Sequence, residues 1–429
     1  MNPFCVVYND ELGMVRIMKI GVVGSTGFAN AFIPLFKAHP LVDEVVVAEL
    51  VPERLKEIAE RYNLKRTYHS MDELCKSDVD AIALITQRHL HADQTIQALR
   101  SGKHVFCAVP AAQSLEEIAA IIEEVNRSGL IYMSAETSYY YPCTIFCREQ
   151  FRKGKFGNFV YGEACYMHDM SHGFYDAFKH SGGKDWKKVA GFPPMYYPTH
   201  STSMIASVTG ARATHVSCLG YRDQHEDGIF KEGANLWDNP FSNETALIRM
   251  SDGGMARINE FRRVGWIGEN NNSVHMSMFG TEGSYEEQAN AKVWTSLNKE
   301  DITDLKDLLA CQELEVPEYN RKLHDALQED FYKSVSKIHP IERLPKEFAG
   351  LGNGHFGSHQ FLVDDFVKAL DAQKLPPNHV WDAAKYSAPG LVAHESAKRE
   401  GEMMEIPDFG KPPAHWDFLY PEDAIANKR

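Results

Sequence analysis

The sequence predicts an α/β domain built on a doubly wound parallel sheet. An α+β domain follows, with an open, mostly antiparallel sheet flanked by helices. Three observations carry this. From residue 17 to about 138, short runs rich in valine and isoleucine alternate with helix-like segments, the pattern of parallel strands with crossover helices. A glycine-rich turn, Gly24-Ser-Thr-Gly27, joins the first run to an apolar helix. From about Tyr139 the alternation gives way to strand-like segments with hairpin punctuation, including Asp252-Gly253-Gly254. At 429 residues the chain exceeds one ordinary core. The expected divisions are a leader over 1–16, the parallel-sheet domain over 17–138, the α+β domain over 139–403 and an extended tail over 404–429.

In order, residues 17–23 form a β-branched strand and Phe28 to Ala38 a helix. Glu44-Val-Val-Val-Ala-Glu49 is a second buried strand ending in a carboxylate. Pro52 opens a helix that runs to Tyr62, and Tyr68 to Cys75 gives a short strand and turn. Val79 to Thr86 is a strand, followed by Gln-Arg88-His-Leu-His91 and a helix over 92–101. Gly102 to Val109 is a strand closed by Pro110, and Ser114-Leu-Glu-Glu117 is a capping box that opens a helix to about Ser128. Leu130 to Ala135 is the last strand, ending at Glu136. In the second domain, a helix over 142–154 precedes an alternating strand from Phe159 to Tyr166. Further strands are expected at 213–221, 244–250, 255–263 and 273–280. Polar helices are expected over 301–310 and 320–335, and two more over 360–372 and 383–399. The span 167–200, rich in His, Tyr, Pro and Gly, reads as a long functional loop.

Composition excludes several classes. A formal charge of −14 and no basic stripe argue against a nucleic-acid partner. No apolar run reaches the roughly 18–20 residues needed to cross a bilayer, and the N-terminus lacks a secretory pattern. The eight cysteines make no CxxC. Cys143 and Cys147 share a helix face as buried small hydrophobes, and the chain reads as cytoplasmic with reduced thiols. No metal site is expected: His355 and His359 lie near Asp364-Asp365 but lack a third ligand at suitable spacing.

Strand, glycine turn and helix together form the setting in which a dinucleotide pyrophosphate rests on free backbone N–H groups. Gly24, Ser25, Thr26, Gly27 and Phe28 are the residues of that cradle. Glu49, at the tip of the second strand, would accept hydrogen bonds from the ribose hydroxyls and repel a 2′-phosphate, which favours NAD. Thr86, Val109, Pro110 and Glu136 fall on the same carboxyl edge of the sheet, where ligands of such sheets bind.

The Gly24 turn, Thr86…His91, Ala98-Leu…Gly102-Lys-His-Val105 and the proline-terminated strand resemble, in order, the Gfo/Idh/MocA family of NAD(P)-dependent oxidoreductases. The resemblance implies a Rossmann domain followed by a substrate-binding sheet that mediates homo-oligomerisation. It also places Arg88, His91, Trp186 and Lys187 with the cofactor-binding residues. Two departures matter. Ordinary members carry Glu-Lys-Pro where this chain has Ala108-Val109-Pro110, and valine cannot exchange a proton. They also carry an aspartate four residues before a catalytic histidine, where this chain has Tyr196 before His200. Val109-Pro-Ala-Ala112, Glu136, Gly162-Glu…Tyr166-Met-His168-Asp169 and Tyr197-Pro-Thr-His200 instead resemble glycoside hydrolase family 109. Those enzymes are NAD-dependent glycosidases on this fold.

That resemblance implies transient oxidation at C3 of a sugar, removal of the acidified C2 proton, elimination of the C1 substituent, water addition and re-reduction. This route needs no flanking carboxylate pair. Tyr197 and His200 are the expected proton-transfer groups, since phenol and imidazole can each donate or accept. Glu136 is expected to hold a sugar hydroxyl or the nicotinamide ribose. Tyr166, rather than His168, is expected to face the site, with His168, Asp169 and Tyr196 as substrate contacts. A sugar or inositol dehydrogenase and a non-catalytic NAD-binding sensor remain as alternatives, because a fold alone does not choose among them. In every case the expected ligand is a small carbohydrate or glycoside.

Overall fold

The computed structural model describes residues 6–9, 13–25, 27–265, 274–288, 291–298, 302–313 and 334–422. Thr26, and all but the last two residues of the helix expected over 320–335, lie outside them. Within the leader, β1 (Val6–Asn9) and β2 (Gly13–Arg16) pair as an antiparallel hairpin. The chain then enters a six-stranded sheet. Its elements are β3 (Met18–Val23), α1 (Phe28–Ala38), β4 (Val42–Ala48), α2 (Pro52–Arg61), β5 (Thr67–Tyr68), α3 (Met71–Cys75), β6 (Ala81–Leu84), α4 (His91–Arg100), β7 (His104–Cys107), α5 (Leu115–Ser128) and β8 (Tyr132–Ser134). The order β5-β4-β3-β6-β7-β8 is parallel throughout, so the chain reverses direction beside β3. Strands β6 and β7 are buried on both faces, which explains their unbroken apolar runs. Residues 71–75 are helical rather than a turn because Ser70 Oγ accepts the Glu73 N–H at 3.2 Å. The capping box forms: Ser114 accepts from Glu117 N–H, and the Glu117 carboxylate accepts from Gln113 N–H at 2.7 Å.

The second domain contains α6 (Pro142–Arg152), β9 (Phe159–Met167), α7 (Tyr175–Gly182), α8 (Trp186–Ala190), α9 (Thr199–Thr209), β10 (Ala213–Arg222), β11 (Phe241–Met250), β12 (Met255–Phe261), β13 (Val274–Gly280), β14 (Gly283–Gln288), β15 (Ala291–Ser296), β16 (Thr303–Asp304) and α10 (Lys306–Leu309). The short pair β17 (Gln312–Glu313) and β18 (Ser334–Val335) follows, then α11 (His359–Ala372), α12 (Val380–Lys398) and β19 (Met404–Glu405). The sheet order is β16-β15-β14-β13-β9-β12-β11-β10-β19, antiparallel except where β9 runs parallel to β12. One face is packed by α6, α9 and α12 over Ala164, Ala246, Ile248, Ile258, Met276 and Met278. On the other, Leu219, Tyr221, Leu247 and Met255 are each more than half exposed.

Two longer spans also depart from the sequence expectation. The helix expected over 301–310 is only the single turn α10, because Thr303–Asp304 pairs with Val293–Trp294 and extends the sheet edge. The expected loop 167–200 is largely helical. Asp169 starts a tight turn by accepting from Ser171 N–H and Oγ–H, and α7 and α8 follow.

Helix α11 crosses back to the first domain. Phe366 lies edge-on to Phe36 at 6.4 Å and 5.4 Å from Phe106, inside the apolar layer beneath β3 and β7. Its buried Asp365 accepts from Arg343 at 2.9 Å, from Tyr420 Oη–H at 2.6 Å and from Tyr140 Oη–H. The C-terminal tail is thereby fastened to the turn that follows β8.

Burial holds His91, His339 and His379 neutral, each lowered to about 4. The unfolded chain takes these protons near pH 6.5, while the folded chain does not until about pH 4. Stability therefore falls as pH drops through that window, each group contributing up to about 3 kcal/mol. Thermal midpoints measured from pH 7.5 to 4.5 should decline steadily. A His91→Asn variant should decline less steeply, and equal slopes would rule out this role for His91.

Candidate active site

The carboxyl ends of β3, β4, β6, β7 and β8 bring Gly24, Glu49, Thr86, Val109 and Glu136 to one edge. Gly24 has φ +105, and a Cβ there would meet Ile85 O at 2.3 Å, so only glycine allows this approach of β3 to β6. Ser25 Oγ donates to Glu49 Oε2 at 2.5 Å, and Glu49 Oε1 accepts Val51 N–H at 3.0 Å. The acid is thus set beside the glycine turn. Phe28 opens α1, which has no side-chain cap, so its first N–H groups are left for an anion. A turn that opens on glycine, uncapped helix N–H groups and a preset carboxylate fit NAD.

Thr86 Oγ1 donates to Gln94 Oε1 at 2.5 Å. Both ring nitrogens of His91 meet backbone carbonyls, Pro110 O at 2.8 Å and Thr86 O at 3.3 Å, and the side chain is buried. The expectation that His91 touches cofactor is therefore corrected: it acts by holding the 86 and 110 loops together. Val109 and Pro110 are buried and joined by a cis peptide bond.

Across the cleft, Glu136 and His200 form the central pair. His200 Nδ1 donates to Glu136 Oε1 at 2.6 Å, and the same oxygen accepts from Ser138 N–H at 2.9 Å and Ser138 Oγ–H at 2.8 Å. Burial pushes the Glu136 carboxyl up, but the charge and hydrogen bond of His200 and the hydrogen bonds from neighbouring residues outweigh it and hold it below the usual range. Glu136 has no exposed surface, so it does not reach substrate; it is a positioning residue for His200. When the imidazole is neutral, its Nδ1–H donates to the carboxylate and Nε2 is left as a proton acceptor.

Around that imidazole stand Tyr166 at 4.8 Å, Tyr197 at 5.2 Å and His355 at 6.4 Å between ring centres. Burial raises both phenols, most strongly Tyr166. Against burial, the Arg88 guanidinium, 4.6 Å over the Tyr197 ring, pulls Tyr197 back down. Arg262 lies 5.0 Å over Tyr166 and is paired with buried Glu260 at 3.0 Å. Burial pushes Glu260 up to about 8, and Ser201 Oγ donates to it.

Several site expectations change. Tyr166, on β9, and His168, one residue past its end, come together with ring centres 5.6 Å apart. His168 stacks on Phe174 at 4.0 Å, and burial lowers it to about 4. Asp169 is not free for sugar hydroxyls: Oδ1 accepts from Ser171 and Oδ2 from Val264 and Gly265 N–H. Tyr196 turns away from His200 onto His394 at 5.1 Å, and burial raises it to about 12. Trp186 packs on Tyr175, and Lys187 donates to Asp227 O at 2.8 Å, both in a satellite cluster around Met170 and Phe230 rather than on the glycine turn.

Sequence reasoning weighed His355 only as a metal ligand. The structure places it on the cleft, edge-on to Phe28 at 5.2 Å, with Nδ1 2.9 Å from His359 Nε2. That is an imidazole–imidazole hydrogen bond. His355 and Phe356 both hold positive φ, 49° and 54°, a strained turn that Phe356 anchors on Tyr141. The Gly-rich stretch 352–357 was the only signal in the sequence for it.

Residues 18–136 match the family described as "Oxidoreductase family, NAD-binding Rossmann fold", and residues 321–416 match "Glycosyl hydrolase 109, C-terminal domain". A glycosyl hydrolase family 109 protein of Streptomyces filamentosus is 22% identical over 91% of this chain and 77% of its own length. One of Shewanella putrefaciens is 27% identical over 96% and 88%. Among solved structures, levoglucosan dehydrogenase in complex with NADH and L-sorbose has a TM-score of 0.69 at 18% identity, covering 91% of this chain and 99% of its own. The scyllo-inositol dehydrogenase of Lactobacillus casei with NAD(H) and scyllo-inositol has a TM-score of 0.62 at 15% identity, covering 91% and 99%.

Gly24→Ala should weaken NAD binding at least about tenfold, because the Cβ displaces the turn at the cofactor cradle. Titration of intrinsic fluorescence with NAD checks this; unchanged affinity would contradict the assigned cradle.

Proposed function

The chain belongs to the Gfo/Idh/MocA oxidoreductase family and is an NAD-dependent enzyme of that fold; we propose that its reaction is hydrolysis of a glycosidic bond. The observation that carries this reading is a substitution of chemistry at the strand end. Where an alcohol-oxidising relay needs a lysine, the chain buries Val109. The proton-transfer groups instead gather as Tyr197, His200, Tyr166 and His355. Bound NAD would accept hydride from C3 of the sugar and return it, so that no net redox change results.

The residues divide the proton work. Tyr197 is assigned the C2 proton, which it takes as phenolate and hands back; the Arg88 guanidinium over its ring works against the upward push of burial on that phenol. His200, oriented by Glu136, can accept the proton of the C3 hydroxyl or activate water at C1 through Nε2. His355 stands between Phe28 and His200, on the side where the glycine turn places the dinucleotide, and can relay a proton across that gap. Tyr166, held by Arg262, walls the site and offers a hydroxyl to the sugar. The substrate is a small glycoside or an oligosaccharide end. The exposed row of Leu219, Tyr221, Leu247 and Met255 is assigned to pairing with a second copy of the chain. The described cysteines are all free thiols, and no described helix is long and apolar enough to cross a membrane, in keeping with a cytoplasmic enzyme.

Tyr197→Phe and His200→Asn should each lower aglycone release from nitrophenyl glycosides at least about 100-fold while NAD still binds. Asn is chosen because it can still donate to Glu136, whose buried charge would otherwise stand alone at a cost of about 3–5 kcal/mol. Release without NADH accumulation supports hydrolysis, and NADH formed in step with substrate would make the enzyme a dehydrogenase. Leu247→Lys should shift the particle to a monomer in light scattering; an unchanged mass would clear that face of the role.

A further inference from the structure

Arg88 projects from the turn after β6 into the aromatic cluster of the second domain. Its guanidinium lies 4.6 Å from the Tyr197 ring and 5.4 Å from each of Phe174 and Phe178. Two other arginines of the same domain do contact carboxyl groups: Arg262 meets Glu260 at 3.0 Å, and Arg263 meets Asp227 at 2.6 Å and Asp223 at 3.3 Å. Among the described residues no carboxylate pairs with Arg88, although the chain carries 59 acidic residues against 45 basic ones. A half-buried cation that meets aromatic rings and no acid is a charge open to an anionic ligand.

We infer that Arg88 is the receptor for a carboxylate on the substrate, so that the site takes a glycoside of a hexuronic acid. The inference rests on the reading of Tyr197 and His200 as the sugar-binding centre. Three aromatic rings surround the guanidinium at 4.6 to 5.4 Å, and a guanidinium held among rings can still turn its N–H fork to a bidentate acceptor. The stack is fastened from the first domain. Gln87 Nε2 donates to Ser181 O at 2.8 Å and Arg54 to His180 O at 3.2 Å, which holds α7, with Phe178 on it, over the mouth of the cleft. The cofactor offers phosphates, but their cradle is the Gly24–Gly27 turn and the start of α1. The Arg88 charge acts instead on Tyr166, His168 and Tyr197.

The test is calorimetric binding of D-glucuronate and D-galacturonate, against D-glucose and D-galactose, to the NAD-loaded enzyme. Hydrolysis of the matching nitrophenyl uronides and neutral glycosides runs in parallel. The acids should bind about 10-fold to 100-fold more tightly than their neutral partners. Arg88→Gln should erase the preference, Arg88→Lys should keep part of it, and NAD affinity should stay unchanged in both. Equal binding of acid and neutral sugars, no binding of either acid, or a preference that survives Arg88→Gln overturns the inference. So does a loss of NAD affinity in Arg88→Gln with sugar preference intact. If the acids bind selectively but yield NADH instead of aglycone, the hydrolase reading fails and the carboxylate receptor stands. If neutral glycosides are cleaved without preference, the reverse holds.

Discussion

The hydrogen bond from His200 to Glu136 joins the two halves of the molecule at the one point where both must be right. Glu136 lies two residues past the last parallel strand of the nucleotide domain, and His200 sits in the first turn of α9 in the sheet domain. A carboxylate with no exposed surface costs several kcal/mol unless it is paired, so the two domains are held in the single relation that brings the imidazole to 2.6 Å. Ser138 reinforces the constraint by donating to the same oxygen. What looks like an active-site detail is thus also an interdomain bond.

From that pair outward, charges alternate with rings. Arg262 contacts Glu260 and covers Tyr166; Tyr166 covers His200; His200 meets Tyr197; Tyr197 is covered by Arg88. Each ring is fixed by a cation on one side and a proton-transfer neighbour on the other. Positioning of this kind is what a site needs when the same group must take up and return a proton within one turnover. The strained turn at His355 and Phe356 supplies the final wall, and the anchor of Phe356 on Tyr141 ties it to the segment that also bears Glu136.

The parallel sheet could be read from the sequence because its strands are buried on both faces and separated by helices, so apolar runs and turn signals coincide. The glycine turn, Glu49 and Tyr197-Pro-Thr-His200 were readable for a similar reason: their chemistry is local. What could not be read was direction. Tyr196 and Tyr197 are adjacent tyrosines, yet one faces His394 and the other His200, a choice made by Pro194, Pro198 and the buried Glu244 that accepts the Met195 N–H. Asp169 looked like a ligand-binding acid because nothing nearby in sequence shows the loop at Val264 that consumes it. His355 was invisible as a site residue because its position depends on a backbone conformation rare for a residue with a side chain.

The valine at the strand end gains its meaning from these placements. A lysine there would add a cation at the strand end, on the edge of a cleft where burial already keeps His168 neutral. Val109 adds no such charge and leaves an apolar wall. The pocket can then tolerate a single unpaired positive charge, that of Arg88, without further cost from like charges. Loss of the lysine and isolation of the arginine are therefore one electrostatic arrangement. Under the proposed reading it would move proton transfer from an ammonium group to the Tyr197 phenol and the His200 imidazole, and leave Arg88 to select the substrate.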